Sequence, residues 1–107
     1  MTRKNLPQRR ANETFDFVHP PGTATRYSAT LGFYPDGSIG EIFIDGAKVG
    51  SDAEINTSDA AVVLSIALQH GAHLDELRHA ISRNSHGAPL GPIGTLLDAL
   101  AAGEGTA

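Results

Sequence analysis

Apolar and polar side chains alternate from Thr25 to Tyr34, with Tyr27, Ala29, Leu31 and Phe33 on one side and Arg26, Ser28, Thr30 and Gly32 on the other. That period of two is the mark of a strand with one buried face. A shorter alternation from Glu13 to His19 brings Phe15 and Phe17 onto one side and predicts an earlier strand, ended by Pro20-Pro21-Gly22. Pro35-Asp36-Gly37-Ser38 then supplies turn chemistry: proline presets φ and Asp-Gly tolerates the left-handed region. The following run, Ile39 to Asp45, is apolar on both faces. It reads as a central strand covered by helices on one side and antiparallel to its predecessor. Asp45-Gly46 fits a second turn.

The period then changes. Ser51 followed three residues later by Glu54 matches a capping box, and the pattern from Ile55 to His70 is helical, although Asn56-Thr57-Ser58-Asp59 would also allow a start at Ser58. Ala60, Val63, Leu64 and Ala67 form one face, while Ala61, Val62, Ile66 and Leu68 fill most of the rest. A helix apolar nearly all round is buried or sits between partners. Gly71 ends it. Leu74, Leu77 and Ile81 mark a short second helix with Asp75 and Glu76 in its first turn. Pro92 opens a third, whose Ile93, Leu96, Leu97 and Leu100 make an i, i+3, i+4, i+7 stripe. Strands first and helices after means α+β: a small antiparallel sheet of about three strands, packed by one long buried helix and two shorter ones. A basic arm over residues 1–12 precedes a single domain over 13–103, and Leu6-Pro7 is its one apolar anchor.

Composition narrows the chemistry. With 107 residues and 40% apolar content the chain is long enough for one modest core. No apolar run approaches the roughly 18 residues of a membrane span, and no apolar stretch follows the N-terminal bases as a secretory signal requires. Cysteine is absent, which removes disulfides, thiolate metal sites and cysteine nucleophiles, and the cytoplasm is the default location. The formal charge of -4 is unevenly spread, because Arg3, Lys4, Arg9 and Arg10 lie in the first ten positions and all twelve acids follow. The body therefore offers no broad basic face to nucleic acid, whereas the arm is suited to phosphate or to an acidic patch on a partner or a second copy.

Candidate sites are few. His19, His70, His73, His79 and His86 lack the spacing of convergent metal ligands and are expected at the surface or in capping roles, so no metal is assigned. No nucleophilic triad assembles; Ser51 caps a helix, and a mid-helix Ser65 usually bonds a preceding carbonyl. No catalytic residue is assigned. Glu41 is an acid inside the most apolar strand, expected to form a structural ion pair with Arg9, Arg10 or Arg26. Lys48, Gly50 and Ser51 at a helix start suit an anion. Together with Arg9 and Arg10, Lys48 and Ser51 form a candidate phosphate or partner site.

Several motifs resemble those of the TSCPD domain, found at the C-terminal end of vitamin B12-dependent (class II) ribonucleotide reductases. They are Leu6-Pro-Gln-Arg-Arg10, Asp36-Gly37, Gly40-Glu-Ile-Phe-Ile-Asp45, Lys48, Gly50, Ser65-Ile-Ala-Leu-Gln-His-Gly71, Leu74 and Glu76. Ribonucleotide reduction in that family requires a radical-bearing cysteine, a redox cysteine pair and a cobalamin site on a large barrel domain. This chain has none of the cysteines, including those that give the TSCPD motif its name. The resemblance thus implies a stand-alone, non-catalytic accessory, assembly or regulatory module with no cofactor of its own. Its expected partners are a second copy of itself, a B12-dependent ribonucleotide reductase, or both. The alternative expectation is a small nucleotide- or phosphate-binding protein using the arm and the Lys48–Ser51 turn.

Overall fold

A computed structural model describes residues 2–46 and 48–103. Three antiparallel strands, β1 (Asn12–Val18), β2 (Arg26–Phe33) and β3 (Ile39–Gly46), precede three helices, α1 (Asp52–Gln69), α2 (Leu74–Ala80) and α3 (Pro92–Ala101). The chain is α+β. Its strand order is β1-β2-β3, with Phe17 opposite Tyr27 and Leu31 opposite both Glu13 and Ile42. The alternation of β2 sends Tyr27, Ala29, Leu31 and Phe33 into the core, where Phe17 stacks on Tyr27 with ring centroids 5.4 Å apart. Leu96, Leu97 and Leu100, the stripe read from the sequence, close that core from α3.

The central strand is β2, and β3 is an edge, contrary to the expectation for the Ile39–Asp45 run. Ile42 and Ile44 point into the core, but Phe43 faces outward and is 52% exposed. The outward positions of the strand are Glu41, Phe43 and Asp45, and α1 lies along its free edge. Backbone groups on such an edge need partners, and the helix supplies them. Ser65 Oγ accepts from Ile42 N–H at 2.8 Å and lies 2.8 Å from its own preceding-turn acceptor, Ala61 O. Gln69 Nε2 donates to Gly40 O at 2.8 Å.

This placement also corrects the buried face of α1. Its inward residues are Thr57, Ala61, Leu64, Ser65 and Gln69, with Leu68 half-buried, whereas Val63 is 66% exposed. The helix begins at Asp52, not Ser58, because its capping box is closed: Ser51 Oγ accepts from Glu54 N–H, and Glu54 Oε1 from Gly50 N–H. The first bond satisfies a donor which a helix start otherwise leaves unpaired, and the second fastens the residue before the cap.

No residue of α2 is fully buried, so ionic contacts supplement its packing. Asp98 on α3 accepts from Arg78 Nε at 2.9 Å and from both terminal nitrogens of Arg83 at 2.8 and 2.9 Å. These bonds, Arg83 first, hold the Asp98 carboxyl down at about 2. His19 departs from the surface role expected of the histidines. It is buried, with Nε2–H donating to Leu90 O at 3.3 Å and Nδ1 2.7 Å from Thr95 Oγ1, and so ties the end of β1 to the start of α3. His70 and His79 bond carbonyls one turn back, those of Ile66 and Asp75.

Candidate functional site

The basic arm follows a defined path across the top of the sheet. Arg3 donates to the Gln69 side chain, and Lys4 N–H to Gln69 O at 2.8 Å. The Lys4 ammonium sits 4.4 Å from the centre of the Tyr34 ring, and Tyr34 Oη donates to Lys4 O at 2.6 Å. Leu6 and the Tyr34 ring then close over Gly40; a Cβ there would come within 2.6 Å of each. Only a residue without a side chain permits that approach.

Arg10 ends the crossing. Its Nε and one terminal nitrogen grip the Glu41 carboxylate at 2.6 and 3.0 Å, while the other donates to Pro7 O. A forked pair of this kind fixes direction as well as distance, and it raises the Arg10 pKa above its usual value. Cross-strand register explains why the pair fits here. Gly32 is opposite Glu41, and a methyl group at that position would run into the carboxylate. Arg26, one of the three arginines considered for Glu41, instead lies 3.8 Å from Asp16. Arg9 is exposed and makes no hydrogen bond or ion pair among the described residues.

Between the arm and the β2–β3 turn is a groove of about 700 Å³, lined by Pro7, Arg9, Arg10, Phe33, Tyr34 and Ile39 among others. The turn beside it is rigidified by Asp36, whose carboxylate accepts from the Ser38 N–H and hydroxyl and is held below the usual carboxylate range. Lys48 and Ser51 do not line this groove. Ser51 Oγ is occupied by the capping box, and Lys48 is exposed. Arg9 and Arg10 are thus together, while Lys48 and Ser51 stand elsewhere. Among the described residues, no group of three or more His, Asp or Glu is placed to hold a metal ion, and no helix is long and apolar enough to cross a membrane.

Sequence reasoning found the preceding-turn carbonyl for Ser65, that of Ala61, but missed the bonds of Ser65 and Gln69 to β3. The available signal was their spacing, two polar residues four apart in the otherwise apolar C-terminal half of the helix. Gly32 was also passed over, since only the register shows what stands opposite it.

Fold and site together define a small α+β domain in which an N-terminal strap, an edge strand and a long helix are locked by a shared set of hydrogen bonds. The chain belongs to the TSCPD domain family, whose model matches residues 2–103. It is 36% identical over 91 residues to a vitamin B12-dependent ribonucleotide reductase of Bradyrhizobium diazoefficiens. That match takes in 85% of this chain but spans 7% of the relative's length. No solved structure matches.

Proposed function

We propose that this TSCPD domain is a non-catalytic module that acts with a B12-dependent ribonucleotide reductase, in its assembly or its regulation. The observation that carries the reading is where the polar motif residues go. Arg10, Glu41, Ser65 and Gln69 are each bonded to another part of the same fold. Side chains so engaged hold an architecture and are not poised to attack a substrate. Relatedness to a reductase supplies the partner, and the absence of cysteine removes the thiol chemistry that ribonucleotide reduction uses.

The test mixes the purified chain with a purified B12-dependent reductase. A calorimetric titration is expected to give a complex in the micromolar range, with altered turnover of the reductase and no turnover by the chain alone. No heat with the reductase at about 100 μM, a level at which a complex near 1 μM would saturate, together with unchanged turnover, overturns the reading.

A second reading, nucleotide or phosphate binding, is favoured by one observation: Arg9, unpaired among the described residues, at the wall of the 700 Å³ groove. It rests on the arm alone, because Lys48 and Ser51 lie outside the groove. Amide shifts of Arg9, Asn12 and Tyr34 on adding a nucleoside diphosphate, lost in Arg9→Ala, are its expected signature. Unmoved spectra at millimolar nucleotide end it.

A further inference from the structure

Around α1, successive residues turn by about 100°. Measured from Ser65, which faces the edge of β3, the core residues Leu68 and Leu64 lie about 60 and 100° to one side. Val62, Ile55 and Ile66 lie about 60, 80 and 100° to the other side. That flank is the one turned away from the core, toward the outer face of the sheet where Phe43 stands. All three are substantially exposed, at 49, 47 and 39%, so an apolar stripe runs along the helix where a solvated surface would be charged.

The two ends of this stripe differ in charge. Asp52 and Asp59 stand in the N-terminal half of α1, exposed and without an ion pair among the described residues, and the helix itself contains no Lys or Arg. At its C-terminal end the arm brings in positive charge, with Arg3 bonded to the Gln69 side chain and the Lys4 backbone to Gln69 O. Val62 lies near the middle. The helix is about 27 Å long at its ordinary rise, so the opposite charges are well separated on one molecule.

We propose that a second copy of this chain docks antiparallel along α1, about a two-fold axis near Val62. An isologous contact places each patch on itself with its direction reversed. The two Val62 side chains then meet at the centre, with Ile66 of each copy about one turn away. Arg3 of each copy, at the level of Gln69, faces the stretch between Asp52 and Asp59 of the other. Two complementary ends form at once, and the unpaired helix dipoles oppose. A parallel arrangement would instead set acid against acid, so charge selects the orientation while the apolar stripe supplies the adhesion. The inference does not depend on any reductase partner.

The absence of cysteine gives a clean test. Light scattering on the wild-type chain at micromolar concentration is expected to give twice 11.2 kDa. Val62→Cys should form a covalent dimer rapidly under mild oxidation, because bonded cysteines need Cα atoms within about 7 Å, and Asp52→Cys should not. Val62→Asp with Ile66→Asp should leave the circular dichroism unchanged and yield a monomer. Reversing one end with Asp52→Lys and Asp59→Lys should weaken dimerisation about tenfold or more at low salt. Adding Arg3→Glu should restore part of the loss. A wild-type monomer at about 100 μM, where a dimer with a constant near 1 μM would be almost fully associated, overturns the proposal. So does a dimer that crosslinks as readily through Asp52→Cys as through Val62→Cys, or one that is indifferent to the charge reversal.

Discussion

Ser65 has one hydroxyl and several duties. It bonds within its own helix, and it accepts the amide of Ile42 on an edge strand where no neighbouring strand is present to do so. Ser65→Ala removes the acceptor and leaves a buried N–H unpaired, at a cost of about 1–3 kcal/mol. A urea titration should show that loss as a lower midpoint with an unchanged slope. Gly32 makes a related demand through space. Gly32→Ala drives a methyl group into the Glu41 carboxylate, which is gripped by Arg10 and is not free to swing away. Overpacking of this kind costs about 1–3 kcal/mol. In Gly32→Ala with Glu41→Ala the clash is gone, so the two effects should be markedly less than additive in a double-mutant cycle. Additive losses would mean that the carboxylate does not confine position 32.

At the scale of elements, Asp98 supplements the half-buried Leu74 and Leu77 in holding α2. The carboxyl titrates at about 2 in the fold against 3.8 ordinarily, chiefly because Arg83 and then Arg78 bond its charged form. A folded value below the unfolded one gives stability that is complete above about pH 4 and disappears as pH falls through 2. Asp98→Asn should therefore flatten that acid limb and, at neutral pH, cost about 1–2 kcal/mol through the loss of charge-assisted bonds. Thermal melts from pH 2 to pH 7 on both proteins would measure it.

Much at this scale was legible beforehand. Period-two alternation located β2, the Pro-Asp-Gly turn placed β3 antiparallel to it, and the Leu96, Leu97, Leu100 stripe named the α3 face that reaches the core. The rank of β3 in the sheet was not legible, because an apolar strand looks alike whether a strand or a helix lies beside it. The same limitation hid the working face of α1, where Ser65 and Gln69 face inward precisely to meet that edge and Val63 faces out. The partner of Glu41 was narrowed to three arginines by charge alone. Choosing Arg10 required the path of the arm, which depends on Tyr34, Gly40 and Gln69, residues distant in sequence.

Across the whole molecule, these contacts divide the chain into a tightly held part and a loosely held one. Strand β2 is paired on both sides, and Ala29 and Leu31 have no exposed surface. Helix α1 closes the remaining edge of β3 through Ser65 and Gln69, and the Arg10–Glu41 pair ties the arm to the same strand. By contrast α2 buries no residue fully, and the ion pair that joins it to α3, Arg78 with Asp98, reaches into solvent. Local opening requires only that an element's own contacts be broken, so its free energy follows what the element buries. Hydrogen exchange should then be slowest for the amides of β2, which open only with the whole fold, and fastest among the helices for α2. The Ile42 amide is the discriminating site. As an unprotected edge amide it would exchange early, but bonded to Ser65 under α1 it should exchange nearly as slowly as that of Leu31. In Ser65→Ala it should accelerate well beyond the change in global stability, while the Leu31 amide follows global stability alone. Equal acceleration at both sites would place the Ser65 contribution in the fold at large and not at the edge of β3.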